Sequence, residues 1–356
     1  MGLDVTGRYR YPAPAPDWLA LANEPVLAPE IPIIDAHHHL WTEADIPYLL
    51  DEFGADLTSG HNLVASVFVQ AHYGYRTDGP AHLAPVGETE KVAALADAAV
   101  QRGLPRIAEG IVAFADLLLG GAVAEVLEAH AEAARGRLRG IRHSVSRDPE
   151  FPNGIVLRPA PEGMLADPVY REGLRAVARA GLSFDAMLYS RQIPELTALA
   201  RALPDLPIVL DHIGCVIGVG PYETRMDEQF AVWRSAMAEL AQCPNVVTKI
   251  GGFGMIICGA RWHEAPAPPS SEALAAAWRP WVDSCIELFG PNRCLFESNF
   301  PVDKAMYPYR TLWNAFKRLT AGLAEGERHA LFAGTAARVY RITDPVTVTA
   351  EATAHG

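Results

Sequence analysis

Short apolar segments alternate with amphipathic segments along most of the chain. Apolar runs of about four to eight residues bounded by turn residues predict buried strands, and apolar residues at helical spacing predict helices. The strand pattern occurs at residues 31–36, 65–70, 110–114, 138–143, 182–186, 208–212, 246–250 and 294–298. Helical patterns occur at residues 88–102, 121–135, 168–180, 191–203, 227–242, 271–289 and 309–323, with a weaker helix within 46–62 and a closing helix at 327–340.

This alternation predicts the fold. Strands separated by helices form a parallel sheet, and eight of them in a chain of 356 residues favour a closed (β/α)8 TIM barrel over an open doubly wound sheet. No strand is followed by the G-x-G-x-x-G pattern of dinucleotide-binding folds. We expect one barrel domain at residues 31–345, an irregular, Pro-rich N-terminal arm at 1–30 and a tail at 346–356.

Composition restricts the possible partners. Half of the residues are hydrophobic and the net charge is -12, which allows a large core and disfavours nucleic-acid binding. No apolar run reaches the roughly 18–20 residues of a membrane span, and residues 1–17 lack the apolar core of a signal peptide. The five cysteines show no C-x-x-C spacing and are typical of reduced thiols. We expect a cytoplasmic protein with a small-molecule substrate and no nucleic-acid or membrane partner. Association into a homo-oligomer is an open alternative.

The loops that follow the predicted strands are longer than those that precede them. Residues 71–87, 144–166, 251–270 and 299–308 follow strands, whereas residues 204–207 and 243–245 precede them. In a barrel of this type, the loops after the strands build the active face. The asymmetry therefore predicts a deep, covered site for a small molecule.

The first strand ends in three consecutive histidines. Successive strand residues point to opposite faces, so His37 and His39 should share one face while His38 points to the other. Two imidazoles on one face form a bidentate metal clamp. The alternative is a pair of ordinary polar loop histidines, which the position at the end of a barrel strand disfavours.

Polar residues also follow the other predicted strands. They are Gln70 and His72, Arg142 and His143, Asp185, Asp211 and His212, Lys249, and Glu297 with Asn299 and Asp303. Buried polar groups cost free energy unless they are paired, so their convergence on one rim indicates a functional site. Alternation predicts that Asp211 points to the face opposite His212, either as a residue that supports the site from behind or as a packing residue. Glu297 is expected to be an interior carboxylate paired with Lys249 or Arg142.

These motifs resemble the amidohydrolase superfamily, specifically its amidohydrolase-2 branch of metal-dependent hydrolases of the TIM-barrel fold. The resemblance spans about residues 31–341 and rests on Asp35-Ala36-His37-His38-His39-Leu40-Trp41, Pro85-Val86-Gly87-Glu88-Thr89-Glu90, Leu138-Arg139-Gly140-Ile141-Arg142-His143, Leu210-Asp211-His212-Ile213-Gly214, Lys249-Ile250-Gly251-Gly252 and the stretch from Arg293 to Asp303. The branch includes sugar lactonases and 2-pyrone-4,6-dicarboxylate lactonase, with a non-oxidative decarboxylase as a more distant relative.

The resemblance implies roles for individual residues. His37, His39 and His212 match the family's metal ligands, whereas Asn299 stands where the family has an aspartate that accepts a proton from the metal-bound water. An amide oxygen can ligate a cation but cannot accept a proton at neutral pH. His143 is the best substitute base, with Asp303, Asp185 and Glu297 as alternatives and Arg142 nearby to hold charge. Some relatives hydrolyse lactones without a metal.

Aromatic residues on the predicted active-side loops suggest a substrate with apolar or ring character, or else they close the loop cores. The expected substrate-binding residues are Trp41, Gln70, Tyr73, Tyr75, Lys249, Phe253 and Asp303. Four cations, Arg76, Arg142, Arg147 and Lys304, are candidates to bind a carboxylate.

Taken with the resemblance, these residues predict an enzyme that hydrolyses a lactone, an ester or another activated acyl group such as a thioester. We expect one divalent ion, zinc, on His37, His39 and His212, with a second ion or no metal as alternatives. A metal-dependent decarboxylase and a metal-independent lactonase remain alternative functions. A non-catalytic binding barrel is the least favoured.

Overall fold

Eight parallel strands form a sheet in which each strand pairs with the next along the chain. The structure is a computed structural model that describes residues 12–42, 47–150 and 159–344. The strands are β1 (Pro32–His38), β2 (Asn62–Val69), β3 (Arg106–Ala113), β4 (Leu138–Ile141), β5 (Ser183–Ala186), β6 (Ile208–Leu210), β7 (Val246–Ile250) and β8 (Cys294–Phe296). Backbone hydrogen bonds beyond the end of β8 join it to β1: His39 N donates to Phe300 O (2.8 Å) and Asn299 N to His37 O (2.9 Å). The predicted (β/α)8 TIM barrel is confirmed.

Helices connect the strands on the outside of the barrel. They are α1 (Pro16–Leu19), α2 (Leu50–Leu57), α3 (Val86–Gln101), α4 (Val123–Ala133), α5 (Pro168–Arg179), α6 (Ile193–Ala202), α7 (Met226–Leu240), α8 (Ser271–Phe289), α9 (Tyr309–Leu319), α10 (Glu325–His329) and α11 (Thr335–Tyr340). The closing segment predicted as one helix is divided by a π-helical turn at Ala330–Gly334. Within the described residues, no helix is long and apolar enough to cross a membrane.

Three predicted strands end two residues before their predicted ends: β4 at Ile141, β6 at Leu210 and β8 at Phe296. After β6 and β8 the backbone is left-handed. His212 and Ile213 have φ angles of 55° and 50°, and Asn299 has a φ of 55°, so the chain leaves the extended conformation there. Left-handed backbone is uncommon outside glycine and costs free energy, most of all for a β-branched residue such as Ile213.

The barrel interior is built in layers. An apolar cluster that includes Val209, Val247 and Leu295 packs against Tyr340 of α11. Two residues further along the same three strand segments come Asp211, Lys249 and Glu297, which are fully buried. Because side chains alternate along a strand, these polar residues continue the same inward-facing rows. The polar layer therefore lies directly above the apolar one, towards the carboxyl ends of the strands.

The described part of the N-terminal arm contacts the barrel on the α8 and α9 side. Leu27 N donates to Asn314 Oδ1 (2.8 Å), and Trp18 Nε1 donates to Ala265 O (2.9 Å). Residues 1–11 of the predicted arm and the predicted tail at 346–356 lie outside the described residues.

Candidate active site

A buried ammonium group occupies the centre of the polar layer. Lys249 Nζ donates to Asp185 Oδ2 (2.8 Å) and to Asp211 Oδ1 (2.9 Å), and Tyr340 OH donates to the same Asp185 oxygen (2.6 Å). Burial alone would lower the pKa of Lys249, but the two aspartates outweigh it and raise that pKa. Lys249 is therefore a fixed cation whose charge is neutralised inside the barrel.

The three consecutive histidines are distributed as alternation predicts. His37 Nε2 lies 3.2 Å from His39 Nε2, and His39 Nδ1 donates to Val69 O (2.8 Å). His38 points the other way, where its Nε2 lies 2.9 Å from Ser66 Oγ and its ring stacks on Phe53. Burial lowers the pKa of both His37 and His39, which keeps these imidazoles neutral. Neutral imidazole is the form that binds metal ions.

His212 reaches the same cluster from the left-handed turn after β6. Its Nδ1 donates to Glu297 Oε1 (2.6 Å), and its ring centroid lies 4.6 Å from that of His37. Burial acts to lower the pKa of His212, but the Glu297 carboxylate outweighs it and raises that pKa. Burial likewise opposes ionisation of Glu297, and the two histidines overcome it and lower its pKa to about 2.

Two expectations about this cluster were wrong. Glu297 forms its hydrogen bond with His212 rather than with Lys249 or Arg142. Asp211 does not point away from the site: its carboxylate pairs with Lys249 and lies 3.6 Å from His37 Nδ1. Alternation fails here because His212 leaves the strand conformation, so that both residues reach the interior.

Two glycines after β7 make room for these side chains. A Cβ added to Gly252, whose φ is +69°, would lie 2.7 Å from His212 Cγ and Nδ1. A Cβ on Gly251 would lie 2.3 Å from Glu297 Cγ. The Gly251-Gly252 pair therefore allows His212 and Glu297 to pack against backbone.

The cluster fits a divalent cation. Among the described residues, His37, His212 and Glu297 each offer a donor atom, all within 4.8 Å of one another. His39 adds its Nε2, because its Nδ1 is engaged with Val69 O. Glu297 Oε2 lies 3.0 Å from His37 Nδ1 but, like Asp211 Oδ2, it is buried without a hydrogen-bond partner. The Glu297 oxygen beside these imidazoles favours a bound cation, whereas Asp211 Oδ2 already lies 3.6 Å from the Arg142 guanidinium.

Arg142, Gln70 and Trp41 surround the histidines. Arg142 Nη2 donates to Gln70 O (2.5 Å), and Arg142 Nη1 lies 3.4 Å from His37 Nε2 and 3.6 Å from Asp211 Oδ2. Trp41 stacks on His39 with ring centroids 5.7 Å apart. Gln70 Oε1 is buried without a hydrogen-bond partner. These three predicted residues therefore lie around the histidine cluster.

Asn299 and Asp303 form a second buried pair. Asn299 Nδ2 donates to Asp303 Oδ1 (2.8 Å), while Asp303 Oδ2 accepts from Gly254 N (2.8 Å) and from Tyr307 OH (2.6 Å). Burial raises the pKa of Asp303 to about 6. The carboxylate fixes the orientation of the Asn299 amide.

His143 lies apart from the three histidines. Its Nδ1 accepts from Leu117 N (3.2 Å), and its ring packs between Phe114 and Tyr170. Within the part of the chain that the structure describes, no hydrogen bond or ring contact links His143 to His37, His39 or His212. Its role as a base stays a prediction.

The remaining predicted residues lie on the rim or pair elsewhere. His72 Nδ1 lies 2.9 Å from Tyr75 OH, and Tyr73 lies under Lys91. His82, a partly exposed residue that was not among the predicted site residues, pairs with Glu125. Three of the four candidate carboxylate-binding cations form ion pairs away from the cluster: Arg76 with Glu90, Arg147 with Glu162 and Lys304 with Asp56.

One structural carboxylate near the rim was missed as a candidate. Glu88, near the start of α3, accepts from Ala71 N (2.8 Å) and Tyr73 N (2.7 Å), which orders the loop after β2. Burial raises the pKa of Glu88 to about 7. Acidic residues are common at helix starts, where they interact with the helix dipole. The sequence therefore gives no sign that Glu88 orders a distant loop.

Comparison with known proteins gives the family of the chain. The amidohydrolase family model matches residues 34–342. The chain belongs to the amidohydrolase family. The match extends from within β1 to just beyond α11, so that the family's barrel includes every histidine of the cluster.

Relatives of this amidohydrolase cover most of its length. An uncharacterized protein of Sinorhizobium fredii is 35% identical, covering 88% of this chain and 99% of that protein. The L-fucono-1,5-lactonase of Burkholderia multivorans is 26% identical, covering 88% of this chain and 97% of the lactonase. A solved amidohydrolase from Burkholderia multivorans with bound zinc is similar with a TM-score of 0.65 and 25% identity, covering 87% of this chain and 99% of that one.

A cavity of about 390 Å³ adjoins the cluster of this amidohydrolase at His212. The loops after β6 and β7 and one face of α8 form its walls. The predicted substrate-binding residue Phe253 lines it, stacked on Trp278 with ring centroids 4.9 Å apart. Trp278 and Trp281 were not singled out from the sequence, because their position within a long amphipathic helix is equally typical of core residues.

Proposed function

We propose that this amidohydrolase hydrolyses a lactone, with one zinc ion held by His37, His39 and His212. The observation that carries the proposal is the arrangement of the imidazoles. His39 and His212 each donate an Nδ1 proton to a fixed oxygen, which leaves their Nε2 atoms as electron-pair donors. His37 Nε2 lies 3.2 Å from His39 Nε2. An acceptor behind each ligating histidine is the usual outer shell of a protein metal site.

The lactone assignment draws further support from the comparisons. A relative matching 88% of this chain is an L-fucono-1,5-lactonase, and a similar solved amidohydrolase contains zinc. When bound, zinc polarises an acyl carbonyl and lowers the pKa of a coordinated water. Zinc also favours three protein ligands with an open fourth position in catalytic sites.

The chain's own residues supply orientation and charge. Glu297 holds the His212 ring, and its Oε2 lies 3.0 Å from His37 Nδ1, which is also 3.2 Å from the Lys249 ammonium. Arg142 faces His37 Nε2, where its guanidinium stabilises negative charge that develops on the substrate oxygen. The Asn299 amide is fixed by Asp303, so its Oδ1 can accept a hydrogen bond from the attacking water but cannot remove its proton.

The experiment is a substrate panel. The purified zinc-loaded protein is incubated with δ- and γ-lactones, aryl esters and acyl thioesters, and proton release is recorded. Aromatic carboxylic acids are tested in parallel for release of carbon dioxide. Hydrolysis of lactones well above the spontaneous rate, with no decarboxylation, supports the proposal. Carbon dioxide release without lactone hydrolysis would replace it with the decarboxylase alternative.

A pair of histidine variants distinguishes loss of a proposed metal ligand from the effect of removing any histidine. His39→Ala removes one proposed ligand, whereas His82→Ala removes a partly exposed histidine of a short 3-10 turn that pairs with Glu125. We expect His39→Ala to lose lactone hydrolysis by on the order of 100-fold or more, since loss of metal removes both carbonyl polarisation and water activation. His82→Ala should keep the wild-type rate.

A further inference from the structure

The cavity beside His212 has mostly apolar walls. Its aromatic lining consists of Phe253, Trp262, Trp278 and Trp281, and Ile213 and Val216 add aliphatic surface. The volume of about 390 Å³ falls within the range of ordinary small-molecule sites. Because His212 forms part of the wall, a molecule that occupies the cavity lies against the metal-binding cluster.

Three polar side chains in these walls already have partners. Arg261 Nη2 forms an ion pair with Glu223 Oε1 (2.7 Å), His212 Nδ1 donates to Glu297, and Cys258 Sγ lies 4.0 Å from Cys215 Sγ. The donors left for a hydroxyl group are the Arg261 guanidinium and the indole N–H groups of Trp262, Trp278 and Trp281, so most hydroxyl groups of a polyhydroxylated molecule would lose their water without gaining a side-chain partner, which costs free energy. An apolar group would gain free energy by leaving water.

Aromatic packing holds the cavity open. Phe253 stacks on Trp278 with an interplanar angle of 19°, and Trp281 packs edge-on against Trp233 with ring centroids 4.8 Å apart. Trp233 Nε1 donates to Ile213 O (2.8 Å), which holds the left-handed turn that carries His212. The same packing therefore fixes the cavity wall and the imidazole.

From these observations we propose that the cavity binds an alkyl or aryl substituent of the substrate. The substrate class is then a lactone that carries an apolar side group, in contrast to a polyhydroxylated sugar lactone. This inference rests on the proposed lactone hydrolysis. An apolar cavity of about 150 Å³ accommodates benzene, so the present volume of about 390 Å³ is sufficient for a phenyl group or a medium alkyl chain.

The test compares δ-lactones whose alkyl substituent grows from methyl to hexyl, with D-glucono-1,5-lactone as the polyhydroxylated comparison. Each methylene that enters the cavity should raise kcat/KM about fourfold, which corresponds to about 0.8 kcal/mol per buried CH2. The increase should stop when the cavity is filled. The hexyl lactone should be hydrolysed faster than the gluconolactone.

A matched pair of variants locates the effect. Ala277 lines the cavity, and its neighbour Ala276 does not, yet both are exposed residues of α8. Ala277→Phe should reduce the ratio of hexyl to methyl kcat/KM by about tenfold or more, since lost space removes buried methylenes. Ala276→Phe should keep the wild-type ratio.

The outcomes separate this inference from the proposed function. If the enzyme hydrolyses lactones without dependence on chain length, or prefers gluconolactone, the apolar-substituent inference is wrong and lactone hydrolysis stands. If no lactone is hydrolysed, tryptophan fluorescence titration with the hexyl lactone decides. Saturable quenching that Ala277→Phe weakens and Ala276→Phe does not would retain the cavity as an apolar binding site and reject lactone hydrolysis. Absence of quenching would reject both the apolar binding site and lactone hydrolysis.

Discussion

Gly252 provides the space that His212 occupies. Ala at this position places a Cβ 2.7 Å from the His212 ring and forces a side chain into a backbone with φ +69°. We expect Gly252→Ala to displace His212 and to lower both bound zinc and lactone hydrolysis at least tenfold. Zinc content by elemental analysis and the rate of proton release measure the two effects.

The matched control for this substitution is Gly103→Ala. Gly103 also has a positive φ, +70°, but an added Cβ would meet nothing within 4 Å. Both variants therefore bear the left-handed backbone cost of about 1–2 kcal/mol in stability, and only Gly252→Ala should lose zinc. Equal zinc content in the two variants would show that His212 is not held against Gly252 in this way.

Asn299→Asp tests the residue that departs from the family's aspartate. In this structure the Asn299 amide donates to Asp303 Oδ1 at 2.8 Å, so an aspartate would bring two carboxylates together. We expect the substitution to lower the free energy of unfolding by about 1–3 kcal/mol without raising the lactone rate. Thermal denaturation and kcat/KM measure these effects. A more stable and faster variant would show that Asn299 ligates the ion instead.

Most of the residues that meet at the site could be found in the sequence, because polar residues that follow apolar strands are conspicuous. Their partners were harder to assign. Glu297 was expected beside Lys249 or Arg142, and it contacts His212 because the turn after β6 is left-handed. No glycine at residues 212 or 213 signals that turn, so the pattern of side chains alone could not show it.

At the scale of elements, His130 joins α3, α4 and the end of β3. Its Nδ1 lies 2.8 Å from Thr89 Oγ1, and its Nε2 donates to Phe114 O (2.9 Å). Burial lowers its pKa from 6.5 to about 4. As the pH falls from 6.5 towards 4, the unfolded chain binds a proton that the folded chain does not, so His130 makes the protein less stable, by about 1.4 kcal/mol per pH unit at most.

His130→Gln should therefore change the pH dependence of stability. Glutamine binds no proton, so the variant escapes the loss of stability that His130 causes in the wild type at low pH. The melting temperature of the variant should therefore lie further below that of the wild type at pH 7 than at pH 5. Differential scanning calorimetry of the variant and the wild type at both pH values measures this difference. A constant deficit for His130→Gln would mean that the pKa of His130 is the same in the folded and the unfolded chain.

At the scale of the whole molecule, the N-terminal arm contributes to the start of α8. Glu24 Oε1 accepts from Ser271 N (3.0 Å), the first residue of α8, and Oε2 contacts Ser271 Oγ and Asn314 Nδ2. A carboxylate at a helix N-terminus satisfies free N–H groups and interacts favourably with the helix dipole. The arm therefore stabilises the helix that carries Trp278 and Trp281.

Glu24→Ala should lower the free energy of unfolding by about 1–3 kcal/mol, because buried donors lose their acceptor. Asp17→Ala, which removes another acidic residue of the arm, is the control and should have little effect. Thermal denaturation compares the two variants. Equal melting temperatures for Glu24→Ala and wild type would show that the contact with α8 does not hold the arm in solution.

The architecture could be predicted because it is encoded locally: eight apolar strands separated by helices leave few alternatives to a parallel barrel. The cavity could not be predicted in the same way. Its walls combine the loops after β6 and β7 with one face of α8, and the packing of Phe253 against Trp278 depends on the course of those loops. The aromatic residues alone were equally compatible with loop cores.

The central claim is that three histidines hold one zinc ion for lactone hydrolysis. The most direct measurement is a zinc titration of the chelator-treated protein, followed by the initial rate of lactone hydrolysis. We expect the rate to rise linearly and to reach its maximum at one zinc ion per chain, and His39→Ala to show no such rise. Lactone hydrolysis that survives chelation at the full rate in the absence of zinc, or that His39→Ala leaves intact, would contradict the account.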